Sequence, residues 1–272
     1  MMLLLIQMAD AKPFIAISVL VLLLAWETMH PFFDFAEGGK RLGHGVKNFV
    51  LGVSNGAMTA LLFVGVWLLA ANWAEQNQIG LLNWFSPPAV VASVGAVLML
   101  DAWTYAWHRM NHRIPFLWRF HRMHHSDSHM DVTTANRFHI GEIIISSVLR
   151  IPLIVLLGLK LEHIAVYELL MFSVVQFHHA NISISAKWDR WLRVLIVTPF
   201  MHKVHHSRWQ LETDSNYSSF LSIWDRIFRS FRINEKPESI ILGLDDFNDG
   251  SHQTLIGLLK TPVAKTRRPN QK

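Results

Sequence analysis

The stretch PAVVASVGAVLMLDAWTYAWHRMNH (88–112) is an apolar segment that ends in two histidines. Its apolar part, 88–107, contains a single charged residue, Asp101. About 20 apolar residues are enough to cross the hydrocarbon of a bilayer as an α-helix. Pro115 follows closely, and a proline is tolerated in the first turn of a helix but not in its interior. The sequence therefore predicts a membrane helix that ends near His112, with a new helix beyond a turn.

The rest of the chain has the same apolar character. Of its 272 residues, 51% are hydrophobic and only 17% are charged, whereas soluble domains carry about 25% charged residues. Further apolar runs cover 13–29, 56–73, 141–159 and 163–177. The last two fit either two crossings or a hairpin that enters the membrane and returns, because Arg150 and Pro152 interrupt the first of them. We predict an all-α integral membrane protein with four to five membrane helices.

Basic residues indicate how the chain is oriented. They follow the first, third and fifth apolar segments, whereas the loop 74–87 contains no lysine or arginine. Cytoplasmic loops are enriched in these residues. We therefore predict a cytosolic helical cap, in a multi-pass protein of a bacterial inner membrane rather than the endoplasmic reticulum. The net charge of +5 is interpreted as membrane-flanking charge, and no nucleic-acid partner is expected.

Three regions are distinguished along the chain. Residues 1–88 hold the N-terminal membrane helices, and residues 89–235 form the predicted catalytic domain. Residues 236–272 form a polar C-terminal tail that we expect to be soluble and partly frayed.

Half of the 16 histidines lie in three short clusters, HRMNH (108–112), HRMHH (121–125) and HKVHH (202–206). On a helix, residues at i, i+3 and i+4 share a face, so each cluster can direct its imidazoles to one point. We expect the first cluster to end the third membrane helix and the second to start the next helix. Neutral imidazole is a common metal ligand, and eight of them exceed what one tetrahedral ion can use. The clusters therefore predict two metal ions.

The residue types leave the metal open. A single HxxxH pair is common by chance, but three clusters on one membrane face are not. The absence of cysteine excludes thiolate-bound sites. Imidazole suits zinc, copper, iron or nickel, so ligand type alone does not choose among them.

Four longer stretches carry a resemblance to a known family: DAWTYAWHRMNH (101–112), HHSDSHMDVTTANRFHIGE (124–142), HHANIS (178–183) and VHHSRWQLETDSNYSSFLSIWDRIFRSF (204–231). Together they resemble the fatty acid hydroxylase/sterol desaturase superfamily, whose members are membrane-bound, histidine-rich di-iron oxidoreductases. The resemblance covers about residues 90–235.

The resemblance implies two non-haem iron ions that activate O₂ as a co-substrate. The enzyme would hydroxylate or desaturate a C–H bond of a sterol, fatty acyl chain or related lipid in the bilayer. It would take electrons from a cytochrome b5-like protein, or from a ferredoxin with its reductase. The metal ligands implied by position are His108, His112, His121, His124, His125, His139, His179, His202, His205 and His206. For His139, the alternative is that it supports a ligand instead of binding metal itself. In HHANIS, His179 is the better match and His178 is not expected to bind metal.

Two further residues are candidates for catalysis. Asp101, Tyr105, His108 and His112 lie at i, i+4, i+7 and i+11, on one helical face. Metal-bound histidines usually donate their other N–H to a carboxylate or carbonyl, so Asp101 is hypothesised to orient His108 or another ligand. The alternative is that Asp101 only reaches interfacial water or an arginine. Similar supporting candidates are Asp131, Glu142, Asp214 and Asn216.

Two other functions remain as alternatives. A membrane zinc-dependent hydrolase is disfavoured because the sequence has no HExxH motif, in which a glutamate acts as general base. A metal transporter would place its ligands near the membrane midplane, whereas these histidines lie at helix ends. Redox chemistry with O₂ uptake would separate the oxidoreductase from both.

Overall fold

The computed structural model describes residues 2–34 and 38–265, with side chains for 14–34 and 41–265. Within these ranges the regular structure is helical, and three isolated bridge pairs are the extent of β-type pairing. The prediction of an all-α protein is confirmed.

Eight helices form the body of the molecule. They are α1 (Met2–Met29), α2 (Gly38–Thr59), α3 (Gly65–Gln76), α4 (Leu81–Phe85), α5 (Ala89–Arg113), α6 (Pro115–His125), α7 (Ile140–Leu157) and α8 (Leu161–His179). Shorter helices follow: α9 (Ala186–Leu192), α10 (Pro199–His205), α11 (Gln210–Thr213), α12 (Ile223–Ile227) and α13 (Leu255–Leu259).

Three stretches are long and apolar enough to cross a membrane: Arg41–Phe85, Ala89–Arg113 and Ile140–Leu157. Phe14–Met29 is a shorter apolar helix. Large apolar side chains on these helices face outward, and Leu61 is 83% exposed. Contiguous apolar surface of this kind marks contact with lipid rather than with water. The chain is an integral membrane protein, although α8, which holds the fifth predicted segment, is long enough but is not among the helices apolar enough to cross.

Helices α2 and α3 form one rod with a wide π-type turn, Ala60–Val64, between them. Asn55 donates to the carbonyl of Phe138 (2.8 Å) and the Trp67 indole donates to that of Ser147 (3.1 Å). In a regular α-helix, residues 55 and 67 would point about 120° apart. The wide turn takes up about one extra residue, or about 100°, and restores the common direction. The rod thus presents one continuous face to α7 and to the loop before it.

The main apolar core lies where α3, α5, α7 and α8 pack together. Its buried members include Trp67, Leu100, Ile154 and Tyr167. This packing fixes α5 and α8 side by side, so that the C-terminal ends of both helices, which carry histidines, lie close together.

The C-terminal segment is folded onto α6, which differs from the expected frayed tail. Leu258 is fully buried in a cluster with Leu51 and Met123. The guanidinium of Arg122 donates to the carbonyls of Thr261 and Ala264. Residues 236–265 are not frayed, because Ile240 and Leu242 pack against Met130 and Val204, while Leu258 and the carbonyls of the last helical turn find partners on α6. Residues 266–272 lie outside the described part of the chain.

Candidate metal centre

The three histidine clusters, at the ends of α5, α6 and α10, converge with His179 at the end of α8. As predicted, α5 ends just after His112, and α6 begins with Pro115 in its first position. The second cluster occupies the last turn of α6 rather than its start, because the helix begins six residues earlier than its first histidine. Helix α6 is therefore a short spacer that folds its histidines back against those of α5.

The histidines form two groups in which the ligand atoms lie within 4.8 Å of one another. The first group consists of His108, His112, His121, His125 and His205. The second group consists of His124, His179, His202 and His206. Nine of the ten ligands implied by the sequence are thus brought together.

In the first group, the Nε2 atoms of His108 and His205 face each other, and each presents a lone pair. His108 Nδ1 lies 2.7 Å from the carbonyl of Tyr217, and His205 Nδ1 lies 2.7 Å from that of Ser215. A carbonyl only accepts hydrogen bonds, so both protons are on Nδ1 and both Nε2 atoms are acceptors. These two Nε2 atoms are nevertheless 3.0 Å apart. A cation bound by both satisfies them, whereas a hydrogen bond between them is not available.

The second group has the spacing of a tetrahedral ion site. His179 donates its Nδ1–H to the carbonyl of Val175 (2.7 Å), and its Nε2 lies 3.1 Å from that of His124 and 3.0 Å from that of His202. His206 Nε2 is 3.1 Å from His202 Nε2. Around an ion with bonds of 2.0–2.1 Å, tetrahedral ligand atoms would be about 3.3–3.4 Å apart. These three of the six distances are within a few tenths of an ångström of that value, and all the ligand atoms of the group lie within 4.8 Å of one another.

Burial keeps these imidazoles in the neutral form that binds metal. Removal from water lowers the pKa of His205 to about 3. The same cause, reinforced by neighbouring imidazoles, holds the pKa of His124, His125 and His206 well below the usual value. No hydrogen bond from the described residues reaches either ring nitrogen of His112 or His125. Unpartnered buried nitrogens are costly, and metal ions would satisfy them.

Carboxylates stand behind the first group. Glu142 Oε1 accepts from His121 Nδ1 at 2.9 Å and from the amide of Asn111 at 3.0 Å. Asp214 Oδ1 lies 3.6 Å from His112 Nδ1. A carboxylate behind a metal-bound histidine fixes its tautomer and raises its basicity. Both acids were among the supporting candidates in the sequence.

The family model for fatty acid hydroxylase matches residues 93–230, just over half of the chain. The chain belongs to the fatty acid hydroxylase family.

Curated relatives from bacteria and animals are hydroxylases and monooxygenases. The chain is 29% identical to ornithine lipid hydroxylase OlsE of Rhizobium tropici over 158 residues, which cover 58% of this chain and 46% of that protein. It is 27% identical to alkylglycerol monooxygenase of Homo sapiens over 232 residues, 85% of this chain and 48% of that protein. It is 23% identical to cholesterol 25-hydroxylase of Mus musculus over 186 residues, which cover 60% of this chain and 58% of that protein. The chain spans about half the length of these relatives, and no solved structure matches it.

In this fatty acid hydroxylase family member, Asp101 does not take the position that the sequence suggested. The hypothesis was a hydrogen bond to His108 or another ligand, but the Nδ1 of His108 donates to the carbonyl of Tyr217, and the partners of Asp101 are not histidines. Asp101 accepts from the indole of Trp224 (2.7 Å), the backbone N–H of Leu221 (3.0 Å) and the hydroxyl of Tyr167 (3.2 Å). Its carboxylate thus anchors the closing segment, which we define as residues 214–231.

Tyr105 also contacts the closing segment. Its hydroxyl lies 2.8 Å from Ser230 Oγ and accepts from Arg109 Nη1 at 3.1 Å. The catalytic roles considered for Asp101 and Tyr105 stay predictions, and their hydrogen bonds connect α5 to this segment.

His139 lies outside both groups, in contrast to its implied role as a ligand. It caps the start of α7, where its Nδ1 accepts from the N–H of Gly141 at 2.9 Å. Its Nε2 donates to the carbonyl of Leu259 at 3.0 Å. Both ring nitrogens are occupied by backbone partners, so neither is free to face an ion.

Two residues near the second group were missed or set aside. His178 packs its ring 3.9 Å from that of His202, centroid to centroid, although it is not one of the four members. Lys203 is fully buried, donates to the carbonyl of Ala180 (3.1 Å), and has its pKa lowered to about 7 by burial. A lysine inside the HKVHH cluster was the available signal, but its burial depends on contacts with α8 that the local pattern does not reveal.

Proposed function

We propose that this protein is a membrane di-iron oxidoreductase that uses O₂ and external electrons to hydroxylate or desaturate a C–H bond of a lipid. The observation that carries the proposal is the pair of adjacent histidine groups, whose ring nitrogens converge at the ends of helices in a membrane protein. The family membership and the hydroxylase relatives support it.

Each part of the centre has a chemical task. The nine imidazoles bind two ions as neutral nitrogen ligands, a donor set that suits iron and other transition metals. Two iron ions, when bound, supply the redox chemistry that oxidation of an unactivated C–H bond by O₂ requires. Glu142 orients His121, and the burial of the histidines limits the access of bulk water to the reacting groups.

We infer a lipid substrate from the position of the site. The metal centre adjoins helices whose apolar side chains face lipid, so a substrate dissolved in the bilayer can approach without entering water. The relatives act, by their names, on ornithine lipid, alkylglycerol and cholesterol. A sterol, a fatty acyl chain or a related lipid is therefore the substrate class proposed here.

Electrons must come from a partner. A cytochrome b5-like protein, or a ferredoxin with its reductase, is the proposed donor, and it would dock on the side of the histidine groups. That side is proposed to be cytoplasmic, in a bacterial inner membrane, because lysines and arginines concentrate there.

The alternatives gain no support. The relatives are hydroxylases and monooxygenases, which does not favour a zinc-dependent hydrolase. The two histidine groups lie at helix ends rather than in the middle of the predicted spans, which does not favour a transporter.

Metal content per chain is the first test, on protein purified in detergent after production in iron-replete medium. We expect close to two irons in the wild type. His205→Ala removes a ligand of the first group and His124→Ala one of the second, so each should lose about one iron. His129→Ala, at an exposed histidine outside both groups, is the matched control and should keep two.

Activity is the second test. Iron-loaded protein, a reductase system and a membrane lipid extract should consume O₂ and yield lipids heavier by one oxygen or lighter by two hydrogens. His205→Ala should remove this activity while the protein still inserts in the membrane. One zinc per chain, without iron or O₂ uptake, would contradict the proposal and revive the hydrolase.

A further inference from the structure

A third carboxylate lies behind the first group, although it contacts no histidine. Asp225, in α12, is fully buried. Its Oδ1 accepts from the N–H of Tyr217 (2.8 Å) and its Oδ2 from the N–H of Ser218 (3.0 Å). The hydroxyl of Ser230 donates to Oδ1 at 2.7 Å. Burial raises the pKa of this carboxyl, and the donated hydrogen bonds oppose that rise.

One of these donors belongs to the peptide group that holds a metal ligand. The N–H of Ser218 and the C=O of Tyr217 are the two ends of a single planar peptide. The same C=O accepts from His108 Nδ1 at 2.7 Å. The order of contacts is therefore carboxylate of Asp225, peptide 217–218, imidazole of His108, and then the position of the ion.

We propose that Asp225 is a positioning residue that acts on His108 through this peptide. A carboxylate at the N–H end of a peptide increases the negative charge on its carbonyl oxygen, since hydrogen bonds in a chain polarise one another. The carbonyl then holds the Nδ1–H of His108 more firmly and makes Nε2 a better donor to the ion. His121 receives the same support directly from Glu142.

Helix α5 closes this chain of hydrogen bonds. Because the proton of Ser230 is directed to Asp225, the hydroxyl of Tyr105 must donate to Ser230 Oγ. Arg109 donates to Tyr105 in turn, at 3.1 Å. Tyr105 and Arg109 flank His108 on the same helix. The chain of hydrogen bonds therefore starts on α5 at Tyr105, passes through Ser230, Asp225 and peptide 217–218, and ends on α5 at His108. Tyr105 thereby gains a defined place in the site.

His205 provides a comparison within the same group. Its Nδ1 donates to the carbonyl of Ser215, and the N–H of that peptide, from Asn216, donates to the carbonyl of Ser230 at 2.9 Å. The N–H of the peptide behind His205 therefore donates to a neutral carbonyl, whereas the N–H of the peptide behind His108 donates to a carboxylate. Loss of charge at residue 225 should act on His108 in particular.

The inference rests on the metal binding in the proposed function and not on its O₂ chemistry, so cobalt can test it. Metal-free, full-length protein in detergent is titrated with Co²⁺, and affinity and visible absorption are recorded for each ion. Asp225→Asn removes the charge and keeps the shape. Asp101→Asn is the matched control, because it removes a buried carboxylate that anchors the same closing segment through Leu221 and Trp224. Glu142→Gln is the positive control.

We expect the wild type to bind two Co²⁺ ions. Asp225→Asn should weaken one of them about tenfold, the lower end of the usual effect of a partner behind a ligand, and should shift its absorption bands. Glu142→Gln should weaken the same ion by about 10–100-fold. Asp101→Asn should bind both ions with wild-type affinity and spectrum.

Other outcomes overturn the inference. Wild-type affinity and spectrum in Asp225→Asn would do so, and so would equal losses in Asp225→Asn and Asp101→Asn, which would reveal only an anchor for the segment. If Asp225→Asn does not fold, Ser230→Ala decides: it keeps the charge and removes a donor that competes with the N–H of Ser218 for the carboxylate, so the same ion should bind more tightly, by less than about tenfold. An unchanged Ser230→Ala overturns the inference. A wild type that binds no Co²⁺ contradicts the metal site of the proposed function itself.

Discussion

At the scale of single residues, the histidines of the two groups are held neutral by burial, and this has a cost at low pH. The pKa of His205 falls to about 3 in the folded protein, from about 6.5 in an unfolded chain. The folded state therefore binds fewer protons than the unfolded state between these values. The contribution to stability is complete above about pH 6.5 and is lost as the pH falls toward 3.

We expect the metal-free protein to lose stability steeply below pH 6.5. Each buried histidine contributes a loss of up to about 1.4 kcal/mol per pH unit, and His124, His125, His202 and His206 share the direction of His205. The measurement is the unfolding midpoint in detergent between pH 8 and pH 5. His205→Ala should flatten the dependence, whereas His129→Ala, at an exposed position, should not change it. A midpoint independent of pH in the wild type would contradict this expectation.

The sequence reveals ligands whose spacing is local and misses partners that are distant. HxxxH and HxxHH place imidazoles on one helical face, and eight such histidines fall in the two groups. The partners of His139 and His108 could not be predicted, since Leu259 and Tyr217 lie more than 100 residues away along the chain. Asp101 had the right helical face for His108, but a carbonyl of the closing segment was nearer to the imidazole.

At the scale of elements, the packing of α13 on α6 shows how few apolar residues suffice to hold a polar segment. Leu258 is the fully buried residue of this short helix, and it contacts Met123, between Arg122 and His124 of the second cluster. The composition of 236–272 suggested a frayed tail because its apolar residues are confined to two short runs, 240–244 and 255–259. Burial of α13 therefore stabilises the helix that carries three of the metal ligands.

Leu258→Ala should lower the free energy of unfolding by about 2–5 kcal/mol, the usual cost of emptying a buried leucine site. Ile256→Ala is the matched control in the same helix, because Ile256 is 66% exposed, and it should change stability by less than about 0.5 kcal/mol. Chemical unfolding in detergent measures both. Equal effects of the two substitutions would contradict the burial of Leu258 against α6.

At the scale of the whole molecule, the 25 residues of α5 span about 37 Å, more than the roughly 30 Å of a bilayer core. Its start and its histidine end therefore lie on opposite faces of the membrane. Hydropathy located the apolar helices, but three stretches rather than four to five are long and apolar enough to cross, and the packed position of α8 could not be predicted. Helix α8 packs against α1 and α5 and carries Glu162 and Glu168, so its sequence mixes features of a span and of a buried helix.

The chain has no cysteine, so single introduced cysteines can report its orientation. Gln76→Cys lies at the end of α3, near the start of α5, and Glu235→Cys follows the closing segment. Both positions are exposed. A membrane-impermeant maleimide should label Gln76→Cys in intact bacterial spheroplasts and Glu235→Cys only after lysis. The reverse pattern would place the histidine groups outside, and equal labelling of both would contradict the crossing.

The wide turn at Ala60–Val64 makes the rod of α2 and α3 unevenly tolerant of changes in length. The turn contains about one residue more than a regular helix needs. Deletion of Leu61 should therefore convert the rod to a regular α-helix and keep Asn55 and Trp67 directed toward α7 and the loop before it. Deletion of Val53, which is also exposed to lipid, should instead rotate the part of α2 before it by about 100°, and the hydrogen bond from Asn48 to Thr133 would be broken. Single-residue deletions should accordingly be tolerated at Ala60–Val64 and not elsewhere in the rod.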